Sequence, residues 1–298
     1  MRYTPVFALA IFFCHCNSIS DRTSFKDILN TKIYYEEHGQ GAPLVILSGG
    51  GINRSVRDFD KCVDALSKHF RVILPDSPGQ GRSEQPDTLS YEILTDFFSG
   101  FIDSLSLDTV YVMGWSDGAI ASLLLAEKYP GKVKKTLAVG ANNGLAGALP
   151  AGINAADVVP QALEAWGERN KETVDAYTKE VKRDWKKMMN FLNAMWYQEK
   201  YFSDSVLTNI RVPVMIAQGD KDEINIDHAV HLYRLIPNSQ LCILPNTTHE
   251  VFSERPEIIS QLAINFFSGN RAIQVSQTSP QKQKNSTQEA APYPSLND

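Results

Sequence analysis

Five residues, Gly114-Trp115-Ser116-Asp117-Gly118, constrain this chain more than any other stretch. They follow directly on the apolar run TVYVMG (109–114) and lead directly into 119–126, a segment apolar on every side. A β-branched run of that kind reads as a strand buried on both faces, and the segment after it as a helix packed deep against a sheet. A strand passing into a buried helix through a serine-centred turn belongs to an α/β architecture. The turn is tight and its serine is held in a strained conformation, so side chains two before and two after it would collide with neighbouring elements. Glycine at 114 and 118 removes them. The Ser116 hydroxyl then stands above the carboxyl edge of the sheet, beside a helix N-terminus that favours negative charge.

The rest of the chain keeps the same rhythm. Residues 32–37 (KIYYEE), 43–48 (PLVILS), 71–76 (RVILPD), 135–140 (KTLAVG), 212–218 (VPVMIAQ) and 240–244 (QLCIL) read as further strands. Leu94, Phe97, Phe98, Phe101 and Leu105 recur at spacings of three and four, one apolar stripe of a helix. Pro256 opens a final helix that runs through Phe267. Alternating strands and helices predict a doubly wound, mostly parallel sheet with right-handed crossovers. One long excursion, about 142–208, interrupts it with helical spacing and many aromatic residues; connections are usually only a few residues long, so it predicts a small helical cap.

A serine hydroxyl is a weak nucleophile until a base takes its proton, and the base is commonly a histidine oriented by a carboxylate. His249 lies in the loop after the QLCIL strand and before the last helix, which makes it the candidate base. Asp222 and Asp220 both follow the VPVMIA strand on the same sheet edge; Asp222 is the preferred partner, since Asp220 comes straight after Gly219 and suits a turn. The order serine, acid, histidine is the one α/β folds of this type deliver. An oxyanion needs two backbone N–H donors. Asp117, next to the serine, supplies one, and the glycine loop Ser48-Gly49-Gly50-Gly51 the other, with Gly50 preferred over Gly51 or Ile52. A carboxylate at Asp117 would attract a cationic acyl group, or else cap its helix. Trp115, Trp166 and Trp196 are candidates to line a substrate pocket; the two in the cap suit the cap's own core equally well.

The termini differ from this body. Residues 1–20 carry a single charge, Arg2, and an apolar run from Val6 to Cys14 that is too short to span a bilayer. It fits a secretory signal with cleavage after Ser20, placing the mature chain outside the cytoplasm, secreted or periplasmic. A lipid anchor at Cys14 or Cys16 is the rival reading, and a cytoplasmic enzyme with an apolar N-terminus the third. Residues 269–298 are dominated by Gln, Ser, Pro, Asn and Thr and predict a disordered tail. The net charge of −5 offers no basic footprint for nucleic acid. The four cysteines lack zinc-site spacing, and no metal or organic cofactor is needed.

From about Thr31 to Phe267 the chain resembles the α/β-hydrolase fold superfamily. The resemblance rests on GWSDG at 114–118, the loop DSPGQGRS at 76–83, Gly219-Asp220-Lys221-Asp222 and Thr248-His249-Glu250. GWSDG before a small-residue helix is similar to valacyclovir-hydrolase-like and proline-iminopeptidase-like serine esterases. Many members have His-Gly where this chain has Ser48-Gly49. The resemblance implies hydrolysis of a small-molecule carboxylic ester or amide through an acyl-enzyme, with Ser116, His249 and Asp222 as the triad. Haloalkane dehalogenases and epoxide hydrolases resemble enzymes with Asp at the nucleophile position, so Ser116 speaks against both. Carbon–carbon hydrolases, perhydrolases and acyltransferases keep the serine and stay open, as does a non-catalytic binding protein. Neither the substrate nor the oligomeric state is legible.

Overall fold

Short runs of Val, Ile and Leu bounded by glycine or proline become strands wherever both of their faces are covered. The computed structural model describes residues 22–149, 152–160 and 162–269; the expected signal segment, Cys14, Cys16 and the tail beyond Gly269 lie outside these residues. The strands are β1 (Arg22–Ile28), β2 (Thr31–His38), β3 (Pro43–Leu47), β4 (Arg71–Pro75), β5 (Val110–Trp115), β6 (Val133–Val139), β7 (Val214–Gly219) and β8 (Ser239–Leu244). They form one sheet in the order β1-β2-β4-β3-β5-β6-β7-β8. From β4 to β8 every pairing is parallel, while β1–β2 and β2–β4 are antiparallel. β1 escapes the sequence reading for a physical reason: RTSFKDI is an edge strand, exposed along most of its length and without an apolar pattern.

The helices are α1 (Asp60–Leu66), α2 (Tyr91–Ser104), α3 (Asp117–Lys128), α4 (Leu163–Arg169), α5 (Lys171–Ala176), α6 (Trp185–Trp196), α7 (Asp204–Asn209), α8 (Ile226–Leu235), α9 (Val251–Glu254) and α10 (Pro256–Ser268). Ser90 starts α2 by accepting a hydrogen bond from the Ile93 N–H at 3.2 Å. Its stripe of Leu94, Phe97, Phe98 and Phe101 is buried with α3, α8 and one face of the sheet. The opposite face packs on α1, α9 and α10, with Phe59, Leu66, Phe252 and Phe267 at its centre. Helices on both faces explain why the central strands are apolar throughout.

Between β6 and β7 the chain leaves the sheet and builds α4 to α7 above its carboxyl edge. Met188, Met189, Leu192 and Met195 give α6 one buried stripe, continuous with the core around α2 and α3. The Tyr177 hydroxyl donates to the Gly79 carbonyl at 2.7 Å and seats the cap on the loop after β4.

Candidate functional site

Ser116 follows β5 directly and has φ +53° and ψ −119°, in a region that a residue with a Cβ rarely occupies. Such strain costs on the order of 1–3 kcal/mol and persists only where the surroundings fix it. Here its N–H donates to the Val139 carbonyl at 2.9 Å, and its own carbonyl takes the Ala119 and Ile120 N–H groups at 2.8 and 3.0 Å. The flanking glycines are sterically required: a Cβ on Gly114 would lie 2.1 Å from the Gly118 oxygen, and one on Gly118 would lie 2.3 Å from the Leu47 oxygen.

β7 and β8 deliver the other two residues. Asp220 is exposed, and its carboxylate takes the Thr247 N–H at 3.0 Å, so it shapes the turn. Asp222 points inward with a fully buried side chain. Its Oδ1 lies 2.7 Å from His249 Nδ1 and also accepts the Ile224 N–H at 2.9 Å. Its Oδ2 is buried without a hydrogen-bond partner. A carboxylate accepts only, so Nδ1 carries the proton and Nε2 keeps its lone pair. Burial opposes the imidazolium. The hydrogen bond and charge of Asp222, with the charges of Glu223 and Glu250, outweigh it and raise the His249 pKa above its ordinary value.

Ser116, His249, Asp117, Gly49 and Gly50 line one cavity of about 380 Å³. A Cβ on Gly49 would lie 3.2 Å from the Ser116 Cβ, and one on Gly50 would lie 2.0 Å from Asp117 Oδ2. The glycine loop therefore runs against the Ser116 turn at a spacing that larger residues would not permit. Ser48 is buried, with its hydroxyl 3.3 Å from Ser77 Oγ and 3.4 Å from Gln80 Oε1; it ties this loop to the one after β4.

Asp117 is buried and does not cap its helix. Its carboxylate takes the Tyr91 hydroxyl at 2.9 Å and the Trp196 indole N–H at 3.0 and 2.9 Å. Burial pushes its pKa up, against those two hydrogen bonds and the attraction of His249. Trp115 and Trp196 line the cavity. Trp166 does not: it stacks on Trp185 at 5.9 Å in the cap, a place set by cap packing, so its expected substrate role is corrected. His228, on α8, is mostly buried and accepts the Asn143 N–H at Nε2, 3.2 Å away. Sequence reasoning missed Arg54, Tyr91, Tyr201 and Glu223, all of which line the cavity. Arg54 and Tyr91 follow no motif; Glu223, adjoining Asp222, carried a positional hint.

The sequence profile described as "Alpha/beta hydrolase family" matches residues 44–262. Human "Serine hydrolase BPHL" is 26% identical over 264 residues, covering 82% of this chain and 86% of the relative. A 2-hydroxy-6-oxo-6-phenylhexa-2,4-dienoate hydrolase of Burkholderia cepacia is 22% identical over 280 residues, covering 81% of this chain and 93% of the relative. Among solved structures, a meta-cleavage product hydrolase from Pseudomonas fluorescens superposes with a TM-score of 0.68 at 19% identity, over 85% of this chain and 99% of that one. The enol-lactonase from Burkholderia xenovorans does so at 0.65 and 21% identity, over 82% and 100%.

Proposed function

This chain belongs to the alpha/beta hydrolase family and is a hydrolase, and we propose that it cleaves a small carboxylic ester through an acyl-enzyme. The observation that carries this reading is the 2.7 Å contact of His249 Nδ1 with Asp222, in a cavity that Ser116 also lines. In the proposed reaction the Ser116 oxygen bonds to the ester carbonyl carbon while His249 Nε2 takes its proton. Asp222 stabilises the imidazolium. The amides of Gly50 and Asp117 receive the oxyanion. The carbonyl re-forms, the alcohol leaves with the proton from His249, and an ester to Ser116 remains. Water then repeats the sequence, giving up a proton to His249 and releasing the acid.

The charges of the cavity bear on the acyl group. Asp117 is bonded only to neutral donors, Glu223 adds a second carboxylate at the rim, and Arg54 is matched by Glu250. That balance favours a substrate with a cationic group close to its carbonyl. A second reading, carbon–carbon cleavage of a 2-hydroxy-6-oxo dienoate, takes its support from relatives of that name. The carboxylate of such a substrate would meet Asp117 and Glu223 unfavourably.

Short p-nitrophenyl esters, with Ser116→Ala alongside, test the proposal. Turnover by the wild type that falls by at least about a thousandfold in the variant supports it. A folded wild type that turns over no ester, and whose Ser116 resists a fluorophosphonate, refutes it.

A further inference from the structure

We propose that Arg54 is a positioning residue that ties the segment carrying the base to the segment carrying the nucleophile. The inference rests on the assignment of His249 as base. Arg54 stands just beyond the glycine loop, where its N–H donates to the Gly51 carbonyl at 3.2 Å. Its guanidinium carbon lies 4.4 Å from the ring centre of Trp115, the residue before Ser116. Its two terminal nitrogens reach both oxygens of Glu250, the residue after His249, at 2.6 and 3.3 Å. Trp115 closes the triangle, since its indole N–H donates to the His249 carbonyl at 2.9 Å.

Three chain segments, far apart in sequence, thus meet on one planar cation. A guanidinium can stack on an indole and grip a carboxylate with two bonds at the same time; a lysine ammonium cannot do both. The pair is partly sheltered, with side-chain exposure of 22% for Arg54 and 41% for Glu250, so it differs from a freely solvated surface bridge. The side chains that Arg54 holds are Trp115 and Glu250, and its effect on the base passes through them.

The tie has an electrostatic side. His249 faces Asp222 and Glu223 from the loop after β7, Asp117 from the start of α3, and Glu250 from its own loop. Arg54 neutralises Glu250 and approaches Asp58 at 3.6 Å. Without Arg54, the uncompensated Glu250 charge favours the imidazolium. With Glu250 also removed, that effect is gone while the mechanical tie remains cut.

The test titrates the His249 ring by NMR and measures ester hydrolysis in Arg54→Met, Arg54→Lys and Arg54→Met/Glu250→Gln. On a neutral p-nitrophenyl ester, whose binding draws on no charge in the cavity, Arg54→Met should lower kcat by about tenfold or more with KM within about twofold, because positioning is lost. Its His249 titration should move to higher pH. The double variant should keep the loss of kcat and reverse the shift. Arg54→Lys should titrate as the wild type does and lose part of kcat. An Arg54→Met protein whose His249 titrates as in the wild type, or whose kcat stays within about twofold, overturns the proposal. Where Arg54→Met does not fold, Glu250→Gln reads the same tie: kcat falls and the titration moves to lower pH, and no change in either overturns it. The titration needs no turnover, so a wild type inactive on esters counts against the esterase reading and leaves the tie to be decided by the ring alone.

Discussion

Asp222 loads both of its hydrogen bonds onto one oxygen and leaves the other buried and bare. Its charge therefore bears chiefly on His249, in surroundings that screen it poorly. As the proposed base, His249 must be neutral, so kcat/KM should fall as pH drops through its raised pKa. Asp222→Asn removes the charge that raises that pKa and leaves at most a neutral hydrogen bond in place of a charge-assisted one. The acid limb of a kcat/KM profile should then move to lower pH, with kcat down by about three to four orders of magnitude. Asp117→Asn keeps the shape but removes a charge. It should cut kcat/KM for an aminated ester by about tenfold or more relative to a neutral isostere, measured in parallel; equal losses would refute a cation site. Ser116, Asp222 and His249 were legible because each sits just past a strand end, where the topology brings them to one edge. Arg54 and Tyr91 were not, because their roles come from tertiary contacts at long range rather than from any local pattern.

Among the elements, α2 carries the plainest message. Its stripe was visible at spacings of three and four, and Phe101, at its centre, is 1% exposed and meets Tyr35 edge to face at 5.3 Å. Phe101→Ala should cost about 3–5 kcal/mol of stability by denaturant titration, with the kinetics of the folded fraction unchanged. The cap was legible only as an excursion. Its helices are short, α4 and α5 bury no residue, and the turn at 177–181 widens to a π-helix, so periodicity gives poor boundaries there. Its attachment was invisible: Trp196, the last residue of α6, reaches down to the carboxylate beside the nucleophile. The cap and the Ser116 turn therefore share one buried carboxylate, Asp117.

At the scale of the molecule, the mostly parallel sheet and its two helical layers followed from apolar runs alone, while the order of the strands came only with the assembled sheet. A polar edge strand such as β1 sends no comparable signal. The burial of His228 is likewise a property of the assembled whole, where α8 meets the loop after β6. Burial, with the nearby His231, depresses its pKa to about 4. A histidine lowered in the fold takes up its proton more readily when unfolded, so stability from this group is full above its ordinary pKa of 6.5 and declines as pH falls toward about 4. Thermal melts between pH 7 and 4 should record that decline, and His228→Asn should flatten it.

The contact between the Trp115 indole and the His249 carbonyl spans 134 residues of chain, and the bridge from Arg54 to Glu250 spans 196. Contacts of that reach close large loops, whose entropy cost slows folding. A chain growing from its N-terminus holds the serine turn long before it holds the base. A centre built on the proposed triad would therefore be complete only once β8 has docked at the far edge of the sheet.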